Sequence, residues 1–203
     1  MEMGRRSLVD ERRAQIIEEA AKTIGRYGLE GATQERIAED CGLSRSHIRH
    51  YVGNRDSLIE AVWDYVITPY VQAAEDFRDR ADPTATLAEM IDYLFGPEME
   101  HNDDDAVINA LTTGAMKDAS LRDRLYGTQV RIEEAMAQTL RKAAPDATLE
   151  RATDVAYTLL SVAIGSSSLS ALPFPASRRL AARRYAEILI DTFVQESGAV
   201  VST

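Results

Sequence analysis

A chain of 203 residues, 45% hydrophobic and 28% charged, is long enough to bury a sizeable core and too apolar to stay disordered. Its net charge of −10 excludes a protein that coats nucleic acid indiscriminately, and its single cysteine, Cys41, excludes an intramolecular disulfide. No stretch reaches the roughly 18 consecutive apolar residues of a membrane span, and no apolar region follows the leading Met-Glu-Met-Gly-Arg-Arg, so a cytoplasmic protein without signal peptide or membrane contact is expected.

Helical periodicity runs throughout, with no alternating strand pattern. Ile16, Ile17, Ala20, Ile24 and Tyr27 share one face of a first helix, which Gly28 should end, with Leu29 packing beneath it. Thr33 is placed to cap a short second helix reaching Asp40, with Ile37 and Ala38 inward. Gly42 supplies a turn, and Ser44 caps a third helix. Asn54 caps a fourth, with Asp56 favourably set in its first turn. That helix carries Leu58, Ile59, Val62, Trp63 and Val66 before Pro69, where a lost hydrogen bond and a ring clash predict a kink or break near Thr68.

Asp82-Pro83, a cap followed by proline at the first helical position, opens a fifth helix to Phe95, closed by Gly96-Pro97. Asp103 or Asp104 starts a sixth, ending near Asp118. Ser120-Leu-Arg-Asp123 resembles a capping box and opens a seventh that stops before Pro145. Thr148 opens an eighth through Leu172, and Pro173 and Pro175 mark a loop. A last helix runs from Ser177 to Glu196, leaving Ser197–Thr203 as a fraying tail. The expected fold is all-α with about nine helices. Residues 1–53 form a three-helix domain with a helix-turn-helix, 54–80 a connecting helix, and 81–203 a larger helical domain.

Ile37 to Arg55 is the stretch that carries chemistry. Residues 1–63 hold 10 basic and 11 acidic side chains, against 13 and 22 in residues 64–203, so the acidity belongs mostly to the second part. Between Cys41 and Arg55 there is no acid, while Arg45, His47, Arg49 and His50 fall in one short helix. A helix-turn-helix needs a small residue where its helices cross, a turn residue tolerant of positive φ, and apolar residues that lock the angle. Ala38, Gly42 and the set Ile37, Leu43 and Ile48 meet those demands. The second helix must then point polar side chains outward from its N-terminal half, where Ser44 to Arg49 stand. A basic face on an otherwise acidic chain points to double-stranded DNA.

The combined spacing Ile17, Ala20, Gly28, Gly31-Ala-Thr33, Ile37-Ala38, Gly42-Leu-Ser44, Ile48, Tyr51, Arg55-Asp56 and Leu58 resembles the TetR family of bacterial transcription regulators, over Arg12 to Val62. The run Ile48-Arg-His-Tyr51 resembles its choline/betaine-regulator (BetI-like) branch. The resemblance implies a homodimer that sets two recognition helices in successive major grooves of a palindromic operator. It also implies a small-molecule effector bound in the larger domain, and most often repression. By position it makes Arg45, Ser46 and His47 base readers, Arg45 through a bidentate pair with guanine worth about 1–3 kcal/mol of discrimination. Thr33, Tyr51 and Arg55 match positions that hold the phosphate backbone, and Gln34 is placed to reach either base or phosphate. Ser44 and His50 complete the expected DNA-binding face. Arg49 stands where many members have tyrosine and either clamps a phosphate or reads a base; Val52 replaces a common phenylalanine as a packing variation. Arg55 replaces a more common lysine, and its fork suits phosphate. Arg5 and Arg6 are either a minor-groove arm or simply solvated.

Further along, Trp63, Tyr65, Tyr70, Tyr93, Phe95, Met116, Tyr126, Met136 and Tyr157 are either ordinary core or pocket lining, and Trp63, Tyr93, Met116, Tyr126 and Tyr157 are the ligand candidates. Val155–Ile164 is apolar nearly all round, Gly165-Ser-Ser-Ser168 allows close helix approach, and Leu180, Tyr185, Ile188, Leu189 and Phe193 form a second apolar surface. Helices with more than one apolar face need a partner beyond their own core, which fits a four-helix homodimer interface built from two copies of the last two helices. His47 and His50 lack a third ligand at a telling spacing, Asp103–Asp105 suit a helix start, and Cys41 suits a small buried site, so neither metal nor cofactor is expected. His101 has no evident catalytic partner. The reading is an effector-responsive DNA-binding regulator and not an enzyme. The alternatives, a helical protein-interaction module or a small helical enzyme, would not bind duplex DNA at about 0.15 M salt.

Overall fold

The computed structural model describes residues 2–96, 104–170 and 172–199, with side chains between 8 and 197 of those spans. Among them run nine helices and no strand: α1 (Glu2–Gly31), α2 (Gln34–Asp40), α3 (Arg45–Val52), α4 (Arg55–Asp79), α5 (Pro83–Phe95), α6 (Asp104–Ala115), α7 (Ala119–Ala143), α8 (Leu149–Ser170) and α9 (Ser177–Ala199). Side-chain oxygens open most of them. Thr33 Oγ1 accepts from Arg36 N at 3.2 Å, Asn54 Oδ1 from Ser57 N at 2.8 Å, Asp82 Oδ1 from Ala85 N at 3.1 Å and Thr148 Oγ1 from Arg151 N at 3.2 Å. Each such cap satisfies an N–H that the helix cannot, and losing one costs about 1 kcal/mol.

Four expectations change. The helix continues through Pro69 without a break, with Val66, Ile67, Val71 and Ala74 buried on both sides of the proline. The cap of α7 is Asp118, whose Oδ1 accepts from Leu121 N at 3.1 Å, rather than Ser120; α6 stops at Ala115, so the intervening turn ends three residues later on Asp118. Tyr27 lies outside the buried stripe of α1 and carries the Arg36 guanidinium 4.4 Å above its ring. Ser197 is buried within α9, its hydroxyl donating to Phe193 O at 2.7 Å, so the helix passes Glu196.

The chain divides into two compact units. The first comprises Met1–Pro69 and Asp103–Leu125. Its core joins Ile16, Ala20 and Ile24 of α1 to Ile37, Ile48, Val62 and Trp63, with Val107 and Leu111 of α6. Glycine at 114 permits the close approach of Leu29 to α6, since a Cβ there would collide with the Leu29 side chain, whereas a Cβ on Gly25 would meet Ala106 and Val107 at an ordinary 3.4 Å. Lys117 pairs with Glu30 at 3.0 Å across the same seam. Helix geometry is broken within α1 only at Gly28, φ 68° and ψ 173°, which turns the chain toward α2.

The second unit comprises Tyr70–Asn102 and Tyr126–Thr203. Phe77, Met90, Met136, Leu140, Leu159, Ile190 and Phe193 are buried together there. Arg183 of α9 donates to Glu187 at 2.9 Å and to Asp92 of α5, and those two carboxylates hold its guanidinium firmly protonated. Lys142 of α7 donates to the carbonyls of Arg78 and Arg80 and so closes the C-terminal end of α4. Both α4 and α7 begin in the first unit and end in the second.

Two glycines make opposite predictions. Gly42 has φ 64°, a left-handed conformation that costs an L side chain about 1–2 kcal/mol. Gly127 lies inside α7 with open space where a Cβ would go, and glycine there is about 0.5–1 kcal/mol worse than alanine. Gly42→Ala should therefore lower the urea midpoint of unfolding and Gly127→Ala should raise it. Shifts of the same sign would refute the assignment.

Candidate nucleic-acid interface

Helix α3 is only eight residues long and takes its orientation from its neighbours. Gly42 N donates to Glu39 O at 3.0 Å and Leu43 N to Ala38 O at 2.7 Å, which tightens the turn between α2 and α3. Ile48 and Val52 are buried against Ile37 and Ala38, so the opposite side of α3 must face out. Arg45, Ser46, His47, Arg49 and His50 are all exposed there. Ser44 knits the start of the helix: its Oγ accepts from His47 N and lies 2.8 Å from Ser46 Oγ and 3.1 Å from His47 Nδ1.

Directional bonds fix what apolar packing leaves free. Gln34, only 8% exposed, donates from Nε2 to Gly53 O at 3.1 Å, joining the start of α2 to the end of α3. Arg55, the first residue of α4, donates from Nη1 to Ala32 O at 3.0 Å and from Nη2 to Leu29 O. The Thr23 hydroxyl sits 2.8 Å from Asp40 Oδ2 and ties α1 to the end of α2.

The structure thus separates the predicted DNA-binding residues. Gln34 differs from expectation: it is turned inward, because its amide replaces water for a buried carbonyl. Arg55 is half-buried with two of its five N–H donors engaged, leaving three. Tyr51 is half-buried with the His50 ring edge-on at 5.1 Å. Thr33 is exposed, with its oxygen capping α2. Arg45 pairs with Glu35 of α2, Nη1 to Oε1 at 2.8 Å, a contact between residues ten apart that α3 alone gave no reason to expect. Arg49 is exposed and, among the described residues, makes no ion pair. Cys41 is half-buried; burial, then the charges of Glu19 and Asp40, push its thiol up, so it is protonated at neutral pH. No three His, Cys, Asp or Glu side chains gather among the described residues. The side chains of Arg5 and Arg6, and His101 and Asp103, lie outside the described residues.

The ligand candidates do not assemble as a lining. Met116 and Tyr126 are each 72% exposed and Tyr157 63%: Met116 stands in the turn after α6, and the two tyrosines fall on the outward sides of α7 and α8. Trp63 is buried in the first unit beneath Arg124, 5.9 Å from its ring. Tyr93 alone of the five joins an aromatic group, edge-on to Phe77 at 5.6 Å and to Tyr70 at 6.5 Å, within the second unit. Phe77, which is not among the ligand candidates, is buried in the core of the second unit. A groove of about 540 Å³ on the second unit is lined by Leu87, Ile91, Asp92, Arg183, Glu187 and Ile190 among others, and includes none of the five.

No helix among the described residues is long and apolar enough to cross a membrane. Residues 16–62 match the family profile described as bacterial regulatory proteins, tetR family. The chain is 30% identical to the HTH-type transcriptional regulator BetI of Paraburkholderia phytofirmans over 89% of its own length and 92% of the relative's. Its fold resembles that of a TetR transcription regulator from Haloarcula marismortui, with a TM-score of 0.72 at 20% identity, covering 90% of this chain and 98% of that one. It resembles equally a transcriptional regulator from Saccharomonospora viridis solved in complex with choline, with a TM-score of 0.73 at 19% identity over 90% and 96% of the two chains. The outward basic face of α3 and these likenesses agree: the chain belongs to the TetR family of DNA-binding transcriptional regulators, on its BetI-like branch, and is not an enzyme.

Proposed function

We propose that this regulator works in the cytoplasm as a homodimeric repressor of a palindromic operator and is released by a small-molecule effector. The observation that carries the reading is the exposed row Arg45, Ser46, His47, Arg49 and His50 on a helix whose other side is locked at Ile48 and Val52. Residues 1–53 supply the DNA-binding segment, 54–80 the connecting helix, and 81–203 ligand binding and dimerisation. Arg45, Ser46 and His47 read bases, while Thr33, Tyr51 and the free donors of Arg55 hold phosphate. Arg49 adds a cation to the same face.

These roles separate experimentally. Arg45→Ala should flatten the preference at one base pair of each half-site, at a cost of about 1–3 kcal/mol on the operator. Arg55→Ala should weaken binding to all sequences alike and lower the salt slope by about one. It should also lower the melting temperature, because the guanidinium holds Leu29 and Ala32. Sequence-independent losses of equal size from both would overturn the division.

Dimerisation through α8 and α9 is supported by their bare apolar side chains. Tyr157 and Ile164 of α8 and Leu180, Tyr185 and Ile188 of α9 are exposed in the single chain. On α9 they lie opposite the buried Ala186, Ile190 and Phe193, so the helix is apolar on two sides. A second copy covers the outer side. Ile188→Glu should shift the sedimenting species from dimer toward monomer and weaken operator binding; a dimer that persists unchanged would count against the interface.

A quaternary ammonium is the effector class we favour. The choline in the Saccharomonospora viridis structure and the BetI name of the relatives support it, as does the group Tyr70, Phe77 and Tyr93. Aromatic faces attract a desolvated cation through their quadrupole, and the Arg80 guanidinium already stands 4.8 Å from the Phe77 ring. Release requires that choline bind the DNA-free form more tightly, and the coupling is reciprocal. Millimolar choline should dissociate the operator complex in a gel shift, and Tyr93→Leu should blunt that response without weakening the complex. A complex indifferent to choline would discard this effector class.

A further inference from the structure

We propose that Glu35 is a positioning residue for base reading: its carboxylate holds the Arg45 guanidinium in the pose from which it meets guanine. The proposal rests on the reading of Arg45 as a base reader. Arg45 is the first residue of α3, at the positive end of the helix dipole, where a cation is disfavoured. The position therefore does nothing for the helix, and an unrestrained arginine there would swing among many rotamers. Glu35 narrows that freedom. It stands in the first turn of α2, where the dipole favours an acid and the Thr33 cap fixes the backbone. From there its Oε1 takes Arg45 Nη1 at 2.8 Å and links the first helix of the motif to the second.

The pair is built for use rather than for stability. Both side chains are more than half exposed, 63% for Arg45 and 55% for Glu35, and exposed pairs contribute little to folding. The contact is an ion pair at one Nη of a group with five N–H donors, which leaves donors for a bidentate contact to guanine O6 and N7, where two are needed. A carboxylate beside the DNA face repels phosphate, so Glu35 lowers affinity for any duplex. It also denies Arg45 the alternative of drifting to a phosphate oxygen, which would bind every sequence alike. Selectivity rises because the arginine is held for the base and kept from the backbone.

The test uses the full chain and operator duplexes changed at single base pairs. Affinities are measured for Glu35→Gln, Arg45→Ala and the double variant. Glu35→Gln should leave the melting temperature essentially unchanged and raise affinity for an unrelated duplex. The preference for the operator over the duplex altered at the Arg45-dependent base pair should fall about three- to tenfold. In the Arg45→Ala background the same change should leave that preference untouched. If Arg45→Ala leaves every base preference intact, the base-reader reading itself fails. If Arg45→Ala flattens one preference while Glu35→Gln leaves it intact, sharpens it, or reduces it equally without Arg45, the base reader stands and the positioning role of Glu35 is overturned.

Discussion

The orientation of α3 depends on two side chains that capture backbone carbonyls, Arg55 and Gln34. At seven and eight residues, α2 and α3 are shorter than the roughly 12–15 at which an isolated helix is even marginal in water. Their shape is therefore imposed from outside. Apolar contacts at Ile37, Ala38 and Ile48 set how closely they approach, but such contacts are non-directional. Hydrogen bonds supply the missing direction: Gln34 holds the end of α3 through Gly53 O, and Arg55 holds the α1–α2 connection through Leu29 O and Ala32 O. A buried partner left unsatisfied costs about 1–3 kcal/mol, which is enough to make one orientation of α3 strongly preferred. Because Arg55 is also the first residue of α4, any displacement of that helix start acts on the segment that follows the break at Gly28 within α1.

Charge works by local arrangement rather than by total. The chain carries −10, yet α3 contains no acid, and its two arginines and two histidines need only the potential within about one Debye length, roughly 8 Å at physiological salt. Remote carboxylates are screened at that range. Those on α2 are not, and Glu35 and Glu39 are exposed beside the motif. Acids so placed weaken sequence-independent attraction while leaving hydrogen bonding to bases unaffected. An acidic protein can therefore bind DNA with less background than a basic one, since its affinity rests on a few oriented side chains.

What was legible in the sequence followed from local chemistry. Thr33, Ser44, Asn54, Asp82 and Thr148 were recognisable as caps because a cap needs one oxygen at one spacing from the chain it serves. The turn at Gly42 was legible for the same reason, since only its own φ had to be accommodated. Features set by distant packing were not. Pro69 has the local signature of a break, yet α4 continues through it with buried residues on either side. Gln34 has the look of a contact residue because glutamine is polar; its amide answers a carbonyl nineteen positions away. That Leu29 packs against α6 depends on Gly114 having no Cβ there, and that glycine is not distinguishable in sequence from one in a loop.

The same limit explains the ligand candidates and shows which exposed apolar residues carry weight. A large aromatic residue reads as core or pocket wherever it falls, so Met116, Tyr126 and Tyr157 were indistinguishable from Tyr93 until their burial was known. Single exposed apolar residues are ordinary on protein surfaces, and Met116 needs no explanation. Tyr157 is different. It lies seven residues from Ile164 on one side of α8, away from the buried Ala156, Leu159 and Ala163, and α9 repeats the pattern with Tyr185 and Ile188. One bare side chain is tolerated by solvent, whereas two helices each apolar on opposite sides remain partly unburied in any single chain. Burying both sides takes another apolar surface, and a second copy presents one of the same kind through a twofold axis. The half of the chain in which no lining assembles from the ligand candidates thus carries most of the large apolar side chains left uncovered among the described residues.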